Sequence, residues 1–163
     1  MSRRARRITA LFSLTLLAPF GLLAQRQPPH LPSGFAAGLS LEHLVRPTSE
    51  LTFGTIRLSD LHPGGVGYEA SVSFFQGGIA FADMDIMQGA PIGSSLALIR
   101  AGAGFGLAAV DLNAGLGVVV PVTRDLALRG DITARAFVVD FPEYAFITLG
   151  VGVLYLPPVE SGS

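Results

Sequence analysis

Few residues of this 163-residue chain have the type and spacing that chemistry needs. Its histidines are His30, His43 and His62, and no metal-ligand spacing relates them. His43 follows Ser40 and Glu42 closely, so a hydrolase or acyltransferase would have to be built there, around a base near a nucleophile. A solvated histidine at a strand end is the simpler reading, because no second catalytic group is specified. Asp83 and Asp85 stand at i and i+2 and so share one face of a strand. They could form a paired-carboxylate site, but they fit more simply into an ion network with Arg100 or Arg129. GAGFG (102–106) is glycine-rich without the strand-to-helix context of a phosphate loop, and no Gly-x-Ser-x-Gly motif occurs. There is no cysteine, hence no thiol nucleophile, no disulfide framework and no lipid-modified cysteine. The expectation is a non-enzyme with no catalytic residue, no metal and no cofactor.

The elements carrying these residues read as strands. Val110–Val120 alternates Val110, Leu112, Ala114, Leu116, Val118 and Val120 with Asp111, Asn113, Gly115, Gly117 and Val119. Leu126–Val138 sets Leu126, Leu128, Ile132, Ala134 and Ala136 against Arg129, Asp131, Thr133 and Arg135, and Tyr144–Tyr155 continues the pattern. Similar alternation runs through Gly34–His43, Val66–Phe75, residues 79–86 and Leu96–Leu107, and more weakly through Leu51–Leu58. LHPGG (61–65), QGG (76–78), MQGAPIG (87–93), PVTRD (121–125) and DFPE (140–143) read as turns. Eight strands joined by short links suit an antiparallel meander that closes on itself.

Residues 1–24 have the layout of a cleavable signal peptide. Arg3, Arg4, Arg6 and Arg7 precede an apolar run over 8–24 that Pro19 and Gly21 break before Ala24. Leu22 stands where a small residue is favoured, which leaves the cut site open. Residues 25–33 (QRQPPHLPS) read as a flexible, Pro-rich leader. Removing the signal takes four of eleven basic residues and no acid, leaving seven Arg against twelve Asp and Glu. That balance, with no lysine and no basic stripe, argues against nucleic acid as a partner.

The alternation fits two environments. A soluble barrel turns the apolar face inward and exposes the charged one, whereas a membrane barrel does the reverse. Three features favour the membrane. The polar parity is crowded with small residues (Gly102, Gly104, Gly115, Gly117, Gly150, Gly152) that suit a narrow interior. It also carries both signs of charge mid-strand, which when enclosed need each other as partners. Only 14% of residues are charged, and mean hydropathy is +0.53. Against this, tryptophan is absent, and Phe35, Tyr68, Phe105 and Tyr155 make only a partial aromatic girdle.

The last strand carries a family resemblance. TLGVGVLY (148–155) places Thr148, Gly150, Val153 and Tyr155 in the spacing of the terminal strand that the outer-membrane assembly machinery reads. The stretch 115–140, a Gly-rich strand, a Pro-containing turn and an Arg/Asp-alternating strand, resembles the penultimate hairpin of OmpA-like outer-membrane β-barrel domains. The resemblance is good over 94–156 and loose before. It implies fold and address more than activity. LPPVESGS (156–163) departs from a chain ending on the aromatic, and no peptidoglycan-binding segment follows, so a wall-anchoring role is not carried over.

The expectation is therefore an all-β protein: an eight-stranded antiparallel up-and-down transmembrane β-barrel over 34–156, with a signal peptide (1–24), a leader (25–33) and a short tail (157–163). Glu69, Asp83, Asp85, Arg100, Asp111, Arg129, Asp131 and Arg135 would form an interior ionic network. Its partners would be outer-membrane lipid and the barrel-assembly machinery, and it would be a monomer with a structural or membrane-integrity role. A soluble periplasmic barrel with a small apolar ligand, exposing Arg129 and Asp131, is the alternative. An outer-membrane rim hydrolase or acyltransferase using His43 is the second.

Overall fold

The computed structural model describes residues 31–46, 51–76, 78–106, 109–138 and 145–157. The expected signal peptide (1–24) and most of the expected leader and tail lie outside these residues. Eight strands follow in chain order: β1 (Gly34–Arg46), β2 (Thr52–Leu61), β3 (Val66–Phe75), β4 (Gly78–Ile92), β5 (Ser95–Gly106), β6 (Ala109–Pro121), β7 (Leu126–Phe137) and β8 (Ala145–Tyr155). Each pairs antiparallel with its sequence neighbour, and β8 returns to β1 to close the barrel. Closure leaves no strand edge unpaired, which removes the exposed row of backbone donors and acceptors an open sheet would carry.

The apolar parity faces outward. Along β6, Leu112 and Leu116 are more than half exposed, whereas Asp111 is fully buried. The same inversion holds on β8, where Leu149, Val151 and Val153 are exposed and Thr148 is buried. From Val110 to Val120 the outward residues are continuously apolar. Ten residue steps at about 3.3 Å, tilted by about 40°, span about 25 Å, the height of the apolar band on outer-membrane barrels.

Three elements differ from their expected bounds. The weakly patterned segment at 51–58 is a full strand reaching Leu61, paired with β1 and β3. MQGAPIG is not a turn: β4 runs through it to Ile92, and the chain reverses only at Gly93–Ser94, Gly93 taking a positive φ of 60°. The Gly and Pro suggested a loop, but Met87 still points inward and Gln88 outward, and Pro91 pairs opposite Leu96 at the barrel end. The β2–β3 turn also binds this extension, Gly64 donating to the Gly89 carbonyl at 2.8 Å. A side chain at Gly89 would strike the His62 carbonyl, so only glycine fits there. Finally, Pro32 is fully buried, so the end of the expected leader packs with the barrel instead of standing free.

The charged interior as candidate functional site

The inward side chains form three layers. Near the end where β1 begins and β8 finishes, Ala36, Leu61, Met87, Leu96, Leu98, Val119, Ala127, Leu154 and Leu156 make one apolar cluster. Leu156 lies beyond the last strand and is held by its N–H donating to the Asp125 carbonyl at 2.8 Å. At the opposite end, Leu44, Phe53, Ala80 and Phe81 cluster with Phe75, Phe137 and Phe146. Phe81 meets Phe53 edge-on at 5.6 Å, and Phe137 lies against Phe146 at 5.7 Å, separations at which aromatic pairs attract.

Between these clusters lie ten buried charged side chains: Glu42, Arg57, Glu69, Asp83, Asp85, Arg100, Asp111, Arg129, Asp131 and Arg135. Glu69 is the hub. Its Oε1 accepts from Arg57 (3.2 Å), Arg100 (3.1 Å) and Arg129 (3.1 Å), and its Oε2 from Ser59 (2.6 Å) and again Arg129. Arg57 continues to Glu42 (2.6 Å) and Ser40 (2.9 Å), Arg129 to Asp131 (2.9 Å), and Arg100 to Asp85 (3.0 Å) and Thr133. A second group is built on Arg135, which grips Asp83 with both terminal nitrogens (2.5 and 2.8 Å) and reaches Asp111 at 2.7 Å. The same guanidinium sits 4.2 Å from the Phe81 ring centre, joining the charged layer to the aromatic one.

The glycines of this parity make the layer possible. Asp85 lies across Gly102 and Asp83 across Gly104, so closely that a Cβ on either glycine would strike the carboxylate. A Cβ on Gly115 would sit 2.9 Å from Arg100 Nε, and one on Gly117 2.7 Å from Asp131 Oδ1. Each long side chain thus occupies space that a neighbouring strand leaves vacant.

All eight expected network residues are buried inside, but in two ion-paired groups: Glu69, Asp85, Arg100, Arg129 and Asp131 in one, and Asp83, Asp111 and Arg135 in the other. Asp83, however, pairs with Arg135, not with Arg100 or Arg129. Sequence reasoning missed Arg57 and Glu42. Arg57, only 1% exposed, stands on the polar parity of β2, and its signal was the alternation Phe53, Thr55, Arg57, Ser59 in a segment weakened by Gly54. Glu42 shares the inward parity of Ser40 on β1. His43 points outward and meets Thr52 Oγ1 at 3.1 Å, on the opposite face from Ser40 and Glu42. His62 pairs with Asp60 at 3.0 Å on the surface, and His30 lies outside the described residues. On β8, Thr148 faces inward, Val153 and Tyr155 face outward, and Gly150 lies against Glu42 and Asp131. Phe35, Tyr68 and Tyr155 stand exposed near the end where β1 begins, and Phe105 near the other.

No family model and no curated protein matches the sequence. Among solved structures, the chain is similar to a de novo designed transmembrane β-barrel, with TM-score 0.62, 10% identity, and coverage of 78% of this chain and 98% of that one. It is also similar to the designed barrel TMB2.3, solved by NMR in solution, with TM-score 0.58, 11% identity and coverage of 79% and 98%. An S-type phycobiliprotein lyase from Guillardia theta aligns at TM-score 0.42 with 9% identity, too distant to bear on the fold. The class so defined is the closed eight-stranded antiparallel barrel, of the kind seen in designed transmembrane barrels.

Proposed function

We propose that this chain is a small outer-membrane β-barrel with a structural, membrane-integrity role, its interior filled instead of conducting or catalytic. One observation carries the reading: the partition of side chains is inverted, with ten charges inside and a continuous apolar surface outside. In water such a surface would drive aggregation. In a bilayer it is the surface that lipid solvates, while the enclosed charges pair within the protein. Apolar clusters at both ends of the charged layer support a closed interior. An eight-stranded barrel is narrow enough for side chains to fill.

The soluble alternative would expose Arg129 and Asp131 and keep an apolar cavity. Both are buried, and the layer around them is charged. The rim-hydrolase alternative would gather His43 with Ser40 or Glu42, and these lie on opposite faces. In this reading the signal at 1–24 directs export, and the OmpA-like terminal strand, with Thr148, Gly150, Val153 and Tyr155, is what the assembly machinery takes up. The barrel works as a monomer in lipid.

The test is expression of the full chain in a Gram-negative host, followed by fractionation and gel migration with and without boiling. Recovery in the outer membrane with faster migration before boiling is expected, together with greater detergent sensitivity when the gene is removed from its own host. Recovery in the soluble periplasm with no heat shift would overturn the reading.

A further inference from the structure

The interior charges do not balance. Six acids, Glu42, Glu69, Asp83, Asp85, Asp111 and Asp131, face four guanidiniums, those of Arg57, Arg100, Arg129 and Arg135, among the described residues. The excess of two acids is enclosed between the two apolar clusters. An enclosed carboxylate without enough donors neutralises by taking a proton.

The donors each acid receives single out two of the six. Glu69, Asp83 and Asp131 accept guanidinium N–H groups on both oxygens. Asp85 and Asp111 are served on one oxygen only, and by a nitrogen already in use. Asp85 Oδ2 shares Arg100 Nη1 with Glu69, and Asp111 Oδ1 shares Arg135 Nη1 with Asp83. Their other oxygens, Asp85 Oδ1 and Asp111 Oδ2, are the carboxylate oxygens that lie buried without a donor among the described residues. Two acids are in excess, and two have a bare oxygen.

Nothing around them supplies the missing donors. Asp85 is faced by Glu69 on β3, by Arg100 and Gly102 on β5 and by Asn113 on β6, with Asp83 two residues along its own strand. Asp111 is faced by Gly104 on β5, by Arg135 and Phe137 on β7 and by Asp83 and Asp85 on β4. Arg100 spends its terminal nitrogens on Glu69, Asp85 and Thr133, and its Nε lies beside Gly115. Asn113 turns its amide N–H to Asp83 Oδ1 at 3.5 Å.

We propose that Asp85 and Asp111 are held as neutral carboxylic acids in the folded barrel, so that folding at neutral pH takes up two protons. Each proton comes from the buffer and forms an O–H bond on the bare oxygen, while the other oxygen still accepts from its guanidinium. The remaining four carboxylates then match the four guanidiniums. The unfolded chain holds neither proton at neutral pH, because aspartate in water ionises near about pH 4. Folding is therefore favoured as pH falls through neutrality and weakened as pH rises, by about tenfold in the folding constant per pH unit for each proton. The barrel so becomes an acid-responsive element, its charged layer tightened by protons and loosened by alkali. The proposal rests on the interior geometry and not on the membrane role.

The experiment uses the full chain folded in detergent. Urea titrations between about pH 6 and 8, above the range where free aspartate titrates, are scored by gel migration without boiling. Infrared spectra of the folded chain at neutral pH are read for the carbonyl band of an un-ionised carboxyl group. The wild type is expected to show the band, and to lose stability with rising pH more steeply than the Asp85→Asn/Asp111→Asn double variant. The surface histidines titrate alike in both proteins and cancel in that difference. Asn replaces a neutral acid at equal size, so the double variant is expected to fold and to match or exceed the wild type at neutral pH. Asp131→Asn, which removes an acid bonded through both oxygens, is expected to be strongly destabilised or not to fold. Equal pH responses in wild type and double variant would overturn the proposal. So would a missing carbonyl band, or a double variant that fails to fold.

Discussion

Glu69→Gln is the sharpest probe of the interior. The substitution keeps volume and removes one charge from a side chain that is fully buried and contacts Arg57, Arg100 and Arg129. Those guanidiniums retain Glu42, Asp85 and Asp131 as partners, but Arg129 loses the closer of its two acids and Arg57 one of its three. Removing one member of a buried ion pair costs about 3–5 kcal/mol, because the partner stays desolvated and underpaired. Urea titration of the folded barrel in lipid vesicles, scored by gel migration without boiling, measures the loss. It should be nearly the same at low and high salt, since enclosed pairs are little screened. Combining Glu69→Gln with Arg129→Met should recover part of it, because Arg129 is the guanidinium that loses its closer acid, and Asp131 keeps Arg57 and Arg100 nearby. A loss under about 1 kcal/mol that shrinks further in salt is what solvent-exposed pairs give. That result would refute the enclosed-network reasoning and mean that the interior is wet.

Other outcomes follow from the same geometry. Gly102→Val puts a side chain where the Asp85 carboxylate lies and should cost about 1–3 kcal/mol or prevent folding, whereas Gly54→Ala, with open space at its Cβ, should be silent in the same urea titration. Leu116→Arg, midway along the outward face of β6, should cost about 2–4 kcal/mol in lipid vesicles. Leu126→Arg, at the first residue of β7, should cost about 0–1 kcal/mol; equal tolerance of both would argue that no bilayer surrounds the barrel. Leu156→Ala should cost about 2 kcal/mol by loosening the apolar cluster at the end where β8 finishes. If it is neutral, Leu156 does not help seal that end.

Particular residues show where sequence reading stops. On β6 and β7 strict alternation made the inward residues legible, Asp111, Asn113, Arg129, Asp131, Thr133 and Arg135 among them. On β2 the same period was blurred by Thr52 and Gly54 on the outward parity, and Arg57 went unseen although it bridges Glu42 to Glu69. On β4, Gly89 and Pro91 looked like turn residues, because turn chemistry and close backbone approach favour the same amino acids. The apolar end clusters were hidden for another reason. Leu96, Leu98, Val119 and Leu154 share the inward parity with the charges, and a two-residue period records which face a side chain takes, not its depth along the barrel.

The sequence alone determined the all-β class, the period-two division into two faces, and the small residues that make one face narrow. Only the tertiary structure decided which face turns inward, because both directions satisfy the same alternation. It also decided the pairing of charges. Arg129 meets Glu69 across 60 residues and Arg57 meets Asp131 across 74, contacts that depend on closure of β8 onto β1 and on the register of every ladder between. A one-residue slip in any ladder would turn a whole strand over. The ionic layer is therefore a property of the closed barrel and of no strand by itself.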